Sequence, residues 1–310
     1  MEGTTAITDP QSSTPLFSVL VSGVVCIECI AAILLNTLTI SAIVICGLGK
    51  RSATHLFIAS LSVSDLLSGV NILCFQVQRW LVDWIGSNSG LAATSWLNAV
   101  LAGIALPSSL QTSLVIGIDR ALATSKPIKY KTLMSLRNAK LIILFQWILA
   151  SVMVCIPAIY KYIGLDAAQR NKMIVQPPEI FPDSFNRHVA LPMTYLNVTS
   201  ITLLYIKVFL SYKKAIGKIE VSADPVISRK LTRTAMIVTT LLIICWTPLA
   251  VVSSLPVPDQ DTQAFIAYTA AYKCVFIFLL LPAYLNNIIY ALQHKDYKRA
   301  YMKVLGFKLG

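Results

Sequence analysis

Hydrophobic and polar positions along this chain fall into long blocks. Seven stretches carry at most one charged residue, namely 16–48 (only Glu28), 56–77 (only Asp65), 84–118, 141–160, 189–206, 234–258 and 262–293 (only Lys273). Each is long enough to cross a bilayer, for which about 20 apolar residues suffice. None has the two-residue alternation of a barrel strand, and a helix satisfies its own backbone hydrogen bonds in hydrocarbon. The pattern predicts an all-α membrane protein, a seven-transmembrane helix bundle. After Tyr290 the period changes: Leu292, Tyr297, Ala300, Tyr301 and Val304 recur among lysines and arginines, which predicts a short amphipathic helix on the cytoplasmic membrane surface. The expected organisation is a short extracellular amino-terminal segment (1–15), one membrane domain (16–291), and the amphipathic helix with a short tail (292–310), without internal repeats.

Composition sharpens this picture. With 56% hydrophobic and 13% charged residues, against about 25% charged in soluble domains, the chain cannot coat a water-soluble globule. The net charge of +12 would in isolation suggest nucleic acid, but its placement points to a membrane. With the amino terminus outside, every basic residue except Arg79, Lys161, Arg170, Lys172, Arg187 and Lys273 lies on the inner side. This asymmetry predicts an extracellular amino terminus and a cytoplasmic carboxyl terminus in the plasma membrane. The basic inner face suits anionic membrane lipids and an acidic protein partner, and no nucleic acid. All seven cysteines fall inside apolar stretches, so no outer-loop disulfide is expected.

A polar side chain inside a membrane helix needs a partner or water, and such residues mark function. Here each helix contributes its own set: Asn36; Asp65 in Leu61-Ser62-Val63-Ser64-Asp65; Ser109 with Asp119-Arg120; Trp147; Tyr205; Cys245-Trp246-Thr247-Pro248; and Asn286-Asn287-Ile288-Ile289-Tyr290. In this order, over essentially the whole chain, they resemble the class A (rhodopsin-like) G-protein-coupled receptors. The resemblance implies a receptor that passes a ligand signal to a heterotrimeric G protein, and not an enzyme.

Read physically, Asp119-Arg120 is a guanidinium beside a carboxylate at the cytoplasmic end of the third helix, able to stay paired or to swing to a new acceptor. In the family this arginine helps form the floor that receives the G protein. Pro127 and Ile128 resemble the family's docking bump on the following loop. Trp246 sits one turn from the hinge that Pro248 makes by removing a backbone donor. The seventh-helix motif has lost its usual proline, which is Asn287 here, but keeps Asn286 and Tyr290; Tyr290 and Tyr205 are expected to meet near Arg120 in an active state. In relatives the cluster matching Asp65, Ser109 and Asn286 binds sodium. Here Asp65 could hold a sodium ion, a proton or water; no other cofactor is implied. Twenty residues before Pro248, where many relatives carry an acid that holds the arginine, stands Ser228, which predicts raised basal signalling.

By the family's register the ligand cavity would be lined by Phe75, Gln76, Arg79, Ala102, Gly103, Leu106, Met193, Trp246, Leu249, Ala250, Ser253, Lys273, Phe276 and Leu280. Amine receptors carry an aspartate at the position of Ala102, and opsins carry the retinal lysine at that of Leu280, so neither class of ligand is expected. The usual outer cysteine is Ser95 and the usual fifth-helix proline is Asn197, two losses shared with the cluster of melanocortin, lysophospholipid and cannabinoid receptors, which the chain resembles distantly. An apolar cavity with Arg79 and Lys273 at its rim favours a hydrophobic or lipid-like ligand, including an anionic one. The competing readings are a decoy receptor of the same fold that does not signal, and a seven-helix channel or transporter, which the scarcity of membrane acids and of repeats disfavours.

Overall fold

The computed structural model describes residues 15–86, 89–172, 175, 177–216, 225–259 and 262–307. Of the expected segment 1–15, only Pro15 is among them. Seven long helices are present: Pro15–Ile45, Ala53–Ile85, Ser89–Ser125, Leu136–Gly164, Leu191–Ile216, Pro225–Ser254 and Gln263–Gln293. They are called the first to the seventh here, and their ends outer and inner, after the charge asymmetry. All seven are long and apolar enough to cross a membrane, and no strand occurs among the described residues. The surface helix is Lys295–Val304; it buries Tyr297, Ala300 and Tyr301 against the bundle while Lys298, Arg299 and Lys303 stay outside.

The apolar blocks find the helices but misplace their ends. The second helix runs two turns past Val77, so Trp84 closes it instead of opening the third, and Gly86 (φ +75°) makes the turn between them. The third continues beyond Arg120 to Ser125. The sixth starts at Pro225, where proline's missing N–H would be unpaired in any case, and stops at Ser254. The fifth is entered through a π turn at Asn186–Ala190. Charge-free length measures hydrocarbon, whereas a helix continues into the wetter interface as long as its backbone ladder is intact. At the seventh helix the sequence boundary holds, because Thr262 accepts from the Phe265 N–H at 3.2 Å and caps it.

The third helix is the hub, touching the second, fourth, fifth and sixth; the first packs on the second and seventh, and the sixth on the fifth and seventh. Small residues permit close approach. A Cβ on Gly69 would lie 3.2 Å from the Cys29 carbonyl and 3.3 Å from Ala32 Cβ, so the first and second helices touch backbone to side chain there. Hydroxyls buried in the third helix are satisfied by bonding back one turn, Ser108 Oγ to the Ile104 carbonyl and Thr112 Oγ1 to the Ser108 carbonyl, each at 2.7 Å. Gln146 of the fourth helix donates to Thr112 Oγ1 (2.6 Å), and Trp147 Nε1 to Ser60 Oγ (3.0 Å), fastening that helix to the third and second.

Candidate functional site

At the inner end of the third helix, Asp119 is fully buried and Arg120 is 4% exposed. Arg120 Nε donates to Asp119 Oδ2 at 2.9 Å, and its terminal nitrogen closes the same ion pair. The carboxylate collects two further donors, Thr54 Oγ1 of the second helix on Oδ2 and Tyr130 OH on Oδ1, both at 2.9 Å. Thr54 in turn accepts from the Arg120 guanidinium. A buried ion pair is tolerable only when its remaining hydrogen-bonding capacity is met in this way. Burial, then the neighbouring Asp119 charge, push the Tyr130 phenol above its usual value, so it stays a protonated donor at neutral pH. Tyr130 lies on a short helix of about two turns, Pro127–Leu133, that begins at Pro127 and turns Ile128 outward at 88% exposure. The arginine is thus held by its own neighbour, a threonine and a loop tyrosine. Ser228 lies on the inner part of the sixth helix.

One level further into the membrane, Ser109 Oγ donates to Asp65 Oδ1 at 2.6 Å, and Asp65 Oδ2 and Asn286 Oδ1 are buried without a hydrogen-bonding partner. An orphan carboxylate oxygen of Asp65 and the orphan amide oxygen of Asn286 fit a small hard cation, and equally a proton or water, so all three occupants expected from the sequence suit the site. Pro282 and Ala283 offer no side-chain ligand. Tyr205 is buried against the third helix in a slot that Gly117 leaves open, where a Cβ would lie 2.9 Å from Tyr205 Cε2. Tyr290 stacks on Tyr297 of the surface helix, ring centroids 5.6 Å apart. Trp246 packs with Leu110, Ile201, Tyr205 and Leu242 and also lines the outer cavity, two residues before Pro248. Glu28, left without a role by the sequence, is 5% exposed with Oε2 unpartnered.

The outer half of the bundle encloses a cavity of about 1050 Å³. Phe75, Gln76, Arg79, Ala102, Gly103, Leu106, Trp246, Leu249, Ser253, Lys273 and Phe276 line it. Met193, Ala250 and Leu280 do not. Met193 is turned outward, 39% exposed, while Ala190, Leu191 and Thr194 face the cavity. Ala250 is buried, its carbonyl accepting from Tyr195 OH at 3.0 Å. Leu280 is buried with Val25, Cys29 and Ile72, and Leu279 takes its place in the wall. A register error of one residue turns a helical side chain by about 100°.

The sequence also missed the first-helix wall (Ser18, Val21, Ser22, Val25) and the contribution of the outer loop (Phe181, Asp183, Asn186, Arg187). No local signal marked the loop residues, since tertiary packing brings them over the mouth. That loop is held without sulfur. Ser95, at the expected disulfide position, accepts from the Val175 N–H at 3.2 Å, and Val175 and Ile180 are fully buried in a cluster with Trp96, Ala99, Val154, Ala158 and Phe181. Lys161 Nζ donates to the Phe181 carbonyl at 2.9 Å. All seven cysteines are free thiols. Lys273 Nζ reaches Ser18 Oγ at 3.2 Å, and Arg79, Arg187 and Asp183 are also among the residues that line the cavity.

Comparison with known proteins agrees with this geometry. The family described as 7 transmembrane receptor (rhodopsin family) matches residues 35–290. The chain is 26% identical over 288 residues to somatostatin receptor type 2 of Mus musculus, covering 90% of this chain and 75% of that one. It is 23% identical over 306 residues to the alpha-1A adrenergic receptor of Oryzias latipes, covering 85% and 62%. Over a shorter stretch of 112 residues it is 37% identical to the probable G-protein coupled receptor No9 of Amphibalanus amphitrite, of which it spans 22%.

Proposed function

The chain belongs to the rhodopsin family of seven-transmembrane receptors, the G-protein-coupled receptors, and from that premise we propose that it carries a ligand signal from its outer cavity to a heterotrimeric G protein at the inner end. It is a multi-pass membrane protein and not an enzyme. The proposed orientation in the plasma membrane, amino terminus outside, rests on the basic inner loops. The observation that carries the coupling is the buried Asp119–Arg120 pair held by Thr54 and Tyr130: it stores a guanidinium at the inner mouth that only an opening of the bundle would release. Asp119, Arg120, Pro127, Ile128, Tyr205, Trp246, Pro248, Asn286 and Tyr290 are the proposed switch and coupling residues. Asp65, Ser109 and Asn286 are the proposed sodium site, in which the three side chains would supply hard oxygens and the ion would favour the closed state.

For the ligand we propose a hydrophobic molecule with an anionic group, seated on the apolar wall with its charge toward Arg79, Arg187 and Lys273. Relatives named for somatostatin and for adrenergic ligands favour a second reading, a peptide or an amine; Ala102 offers an amine no counter-charge on the third helix. Anionic lipids are the proposed neighbours of Lys298, Arg299 and Lys303 on the surface helix.

The test is ligand-free guanine-nucleotide exchange on a panel of purified heterotrimeric G proteins, with membranes carrying the protein or its Arg120→Ala variant. Exchange above the variant is expected, because no acid stands at Ser228. Equal exchange in every assay would overturn the raised basal activity. Once a partner is identified, long-chain carboxylates and lysophosphates are screened against peptides and amines, and an anionic ligand loses potency at least tenfold in Lys273→Met.

A further inference from the structure

A chain of buried polar groups joins the first helix, the seventh helix and the surface helix, and none of them belongs to the switch described above except through its neighbours. Asn36, Thr39, Asn287 and Tyr301 are 1%, 0%, 2% and 8% exposed. Asn36 Nδ2 donates to the carbonyls of Ala32 and Ala283, both at 2.8 Å. Asn287 Nδ2 donates to Asn36 Oδ1 at 2.9 Å. Thr39 Oγ1 lies 2.6 Å from Asn287 Oδ1 and 2.7 Å from Tyr301 OH.

The direction of these bonds follows from the groups themselves. Asn287 Oδ1 and the Leu35 carbonyl oxygen can both only accept, and the shorter contact, 2.6 Å against 2.9 Å, gives the single Thr39 proton to Asn287. Thr39 Oγ1 then has only lone pairs to offer, and Tyr301 must donate to it. The protons therefore run one way, from Tyr301 through Thr39 to Asn287, with Asn287 Nδ2 and Asn36 carrying the line back to the seventh-helix backbone at Ala283. In a buried setting without competing water, such a chain is cooperative, and loss of one member leaves the next unsatisfied.

Thr39 also has an alternative. The Leu35 carbonyl lies 2.9 Å from its hydroxyl, so if Asn287 moves away the proton has a second acceptor on its own helix, and the lone pair offered to Tyr301 turns with it.

We infer that Thr39 is the joint through which the seventh helix positions the surface helix, a positioning residue for coupling at the inner face. Its one oxygen touches Asn287 of the seventh helix at 2.6 Å and Tyr301 of the surface helix at 2.7 Å, so both helices bear on the same atom. A shift of the inner half of the seventh helix by the length of part of one hydrogen bond is thereby transmitted to the helix beside the inner mouth, although Asn287 hydrogen-bonds no residue of that helix. Tyr297, stacked on Tyr290 and bonded to His55 at 2.9 Å, supplies the second fastening that keeps the surface helix docked while the joint changes. The consequence for signalling rests on the coupling reading above; the joint itself does not.

The test uses the full chain in lipid nanodiscs and reads amide hydrogen exchange along the surface helix, with the fourth helix as the internal reference. Thr39→Val keeps the shape and removes the hydroxyl, and is expected to speed exchange over residues 295–304 about tenfold while the fourth helix changes less than twofold. Thr39→Ser restores the wild-type rate to within about threefold. Thr39→Val combined with Tyr301→Phe is no faster than Thr39→Val alone, because both remove the same bond. Asn287→Leu speeds the surface helix about threefold from a distance. Unchanged surface-helix exchange in Thr39→Val, no rescue by Ser, or an equal rise in the fourth helix would overturn the joint; if Asn287→Leu does not fold, the Val, Ser and double variants decide. Ligand-free nucleotide exchange on the G-protein panel is then compared for the Val and Ser variants. A change of at least threefold with Val, reversed by Ser, ties the joint to coupling. Altered hydrogen exchange in Thr39→Val, with no ligand-free nucleotide exchange by the wild type, would leave the joint standing and overturn the raised basal activity instead.

Discussion

At the inner end of the bundle Asp119 gathers donors from Arg120, Thr54 and Tyr130, and a separate polar chain through Thr39 and Asn287 reaches the surface helix; at the outer end the loop over the cavity rests mainly on Val175, Ile180, Phe181 and Trp96, with hydrogen bonds from the Val175 N–H to Ser95 and from Lys161 to the Phe181 carbonyl. The inner end is held by directional bonds that exist in few geometries, so it changes between discrete arrangements. The outer end is held by apolar contacts that tolerate small displacements, which suits a wall that must accept a ligand. The same chain is thus stiff where a signal must be unambiguous and forgiving where a molecule must enter.

This contrast can be broken from either side. The largest effect is expected for Asp119→Ala, which strands the Arg120 guanidinium in a buried site at a cost of about 3–5 kcal/mol; unfolding of the variant in nanodiscs should show it, and a loss under about 1 kcal/mol would mean that the pair is in effect solvated. Ile180→Ala removes a fully buried anchor of the outer loop and should cost about 2–4 kcal/mol. Hydrogen exchange should then rise in the outer loop and leave the inner end as it was, whereas a rise at both ends would deny their independence. Gly117→Ala drives a methyl into the Tyr205 ring, an overpacking cost of about 1–3 kcal/mol, read as lower thermal stability and an altered ligand-free exchange rate; a variant identical to wild type would show that the ring slides away freely. Smallest is Ser95→Ala, about 1 kcal/mol for one hydrogen bond, seen as faster exchange at Val175 with unaltered inner-end protection.

The contrast also explains what could be read from the sequence. Residues that make directional bonds announce themselves as polar letters in apolar text, as Asn36, Asp65, Asp119 and Arg120 do. Their partners did not stand out. Thr54 and Tyr130 lie near helix or loop ends, where a hydroxyl is unremarkable, and Thr39 looks like any membrane threonine bonded to its own helix. At the outer end the cavity was legible only as far as helical phase could be counted. Met193 and Leu280 were each placed on the wrong face by a single step, and Phe181, Asp183 and Arg187 came from a loop whose path depends on the cluster around Val175 and not on any local pattern. Helix existence was written in the apolar blocks; helix ends, which depend on caps and on the interface, were written at few places, among them Thr262 and Gln293.

The fastening of the outer loop by Ser95 and an apolar cluster, with all seven cysteines free, has a consequence for how this protein matures and can be handled. With no disulfide among the seven cysteines, the cavity end needs no oxidative step to take this shape, so the chain is expected to fold in a reducing cell-free lysate without a disulfide isomerase and to keep the architecture of its cavity in strong thiol reductant.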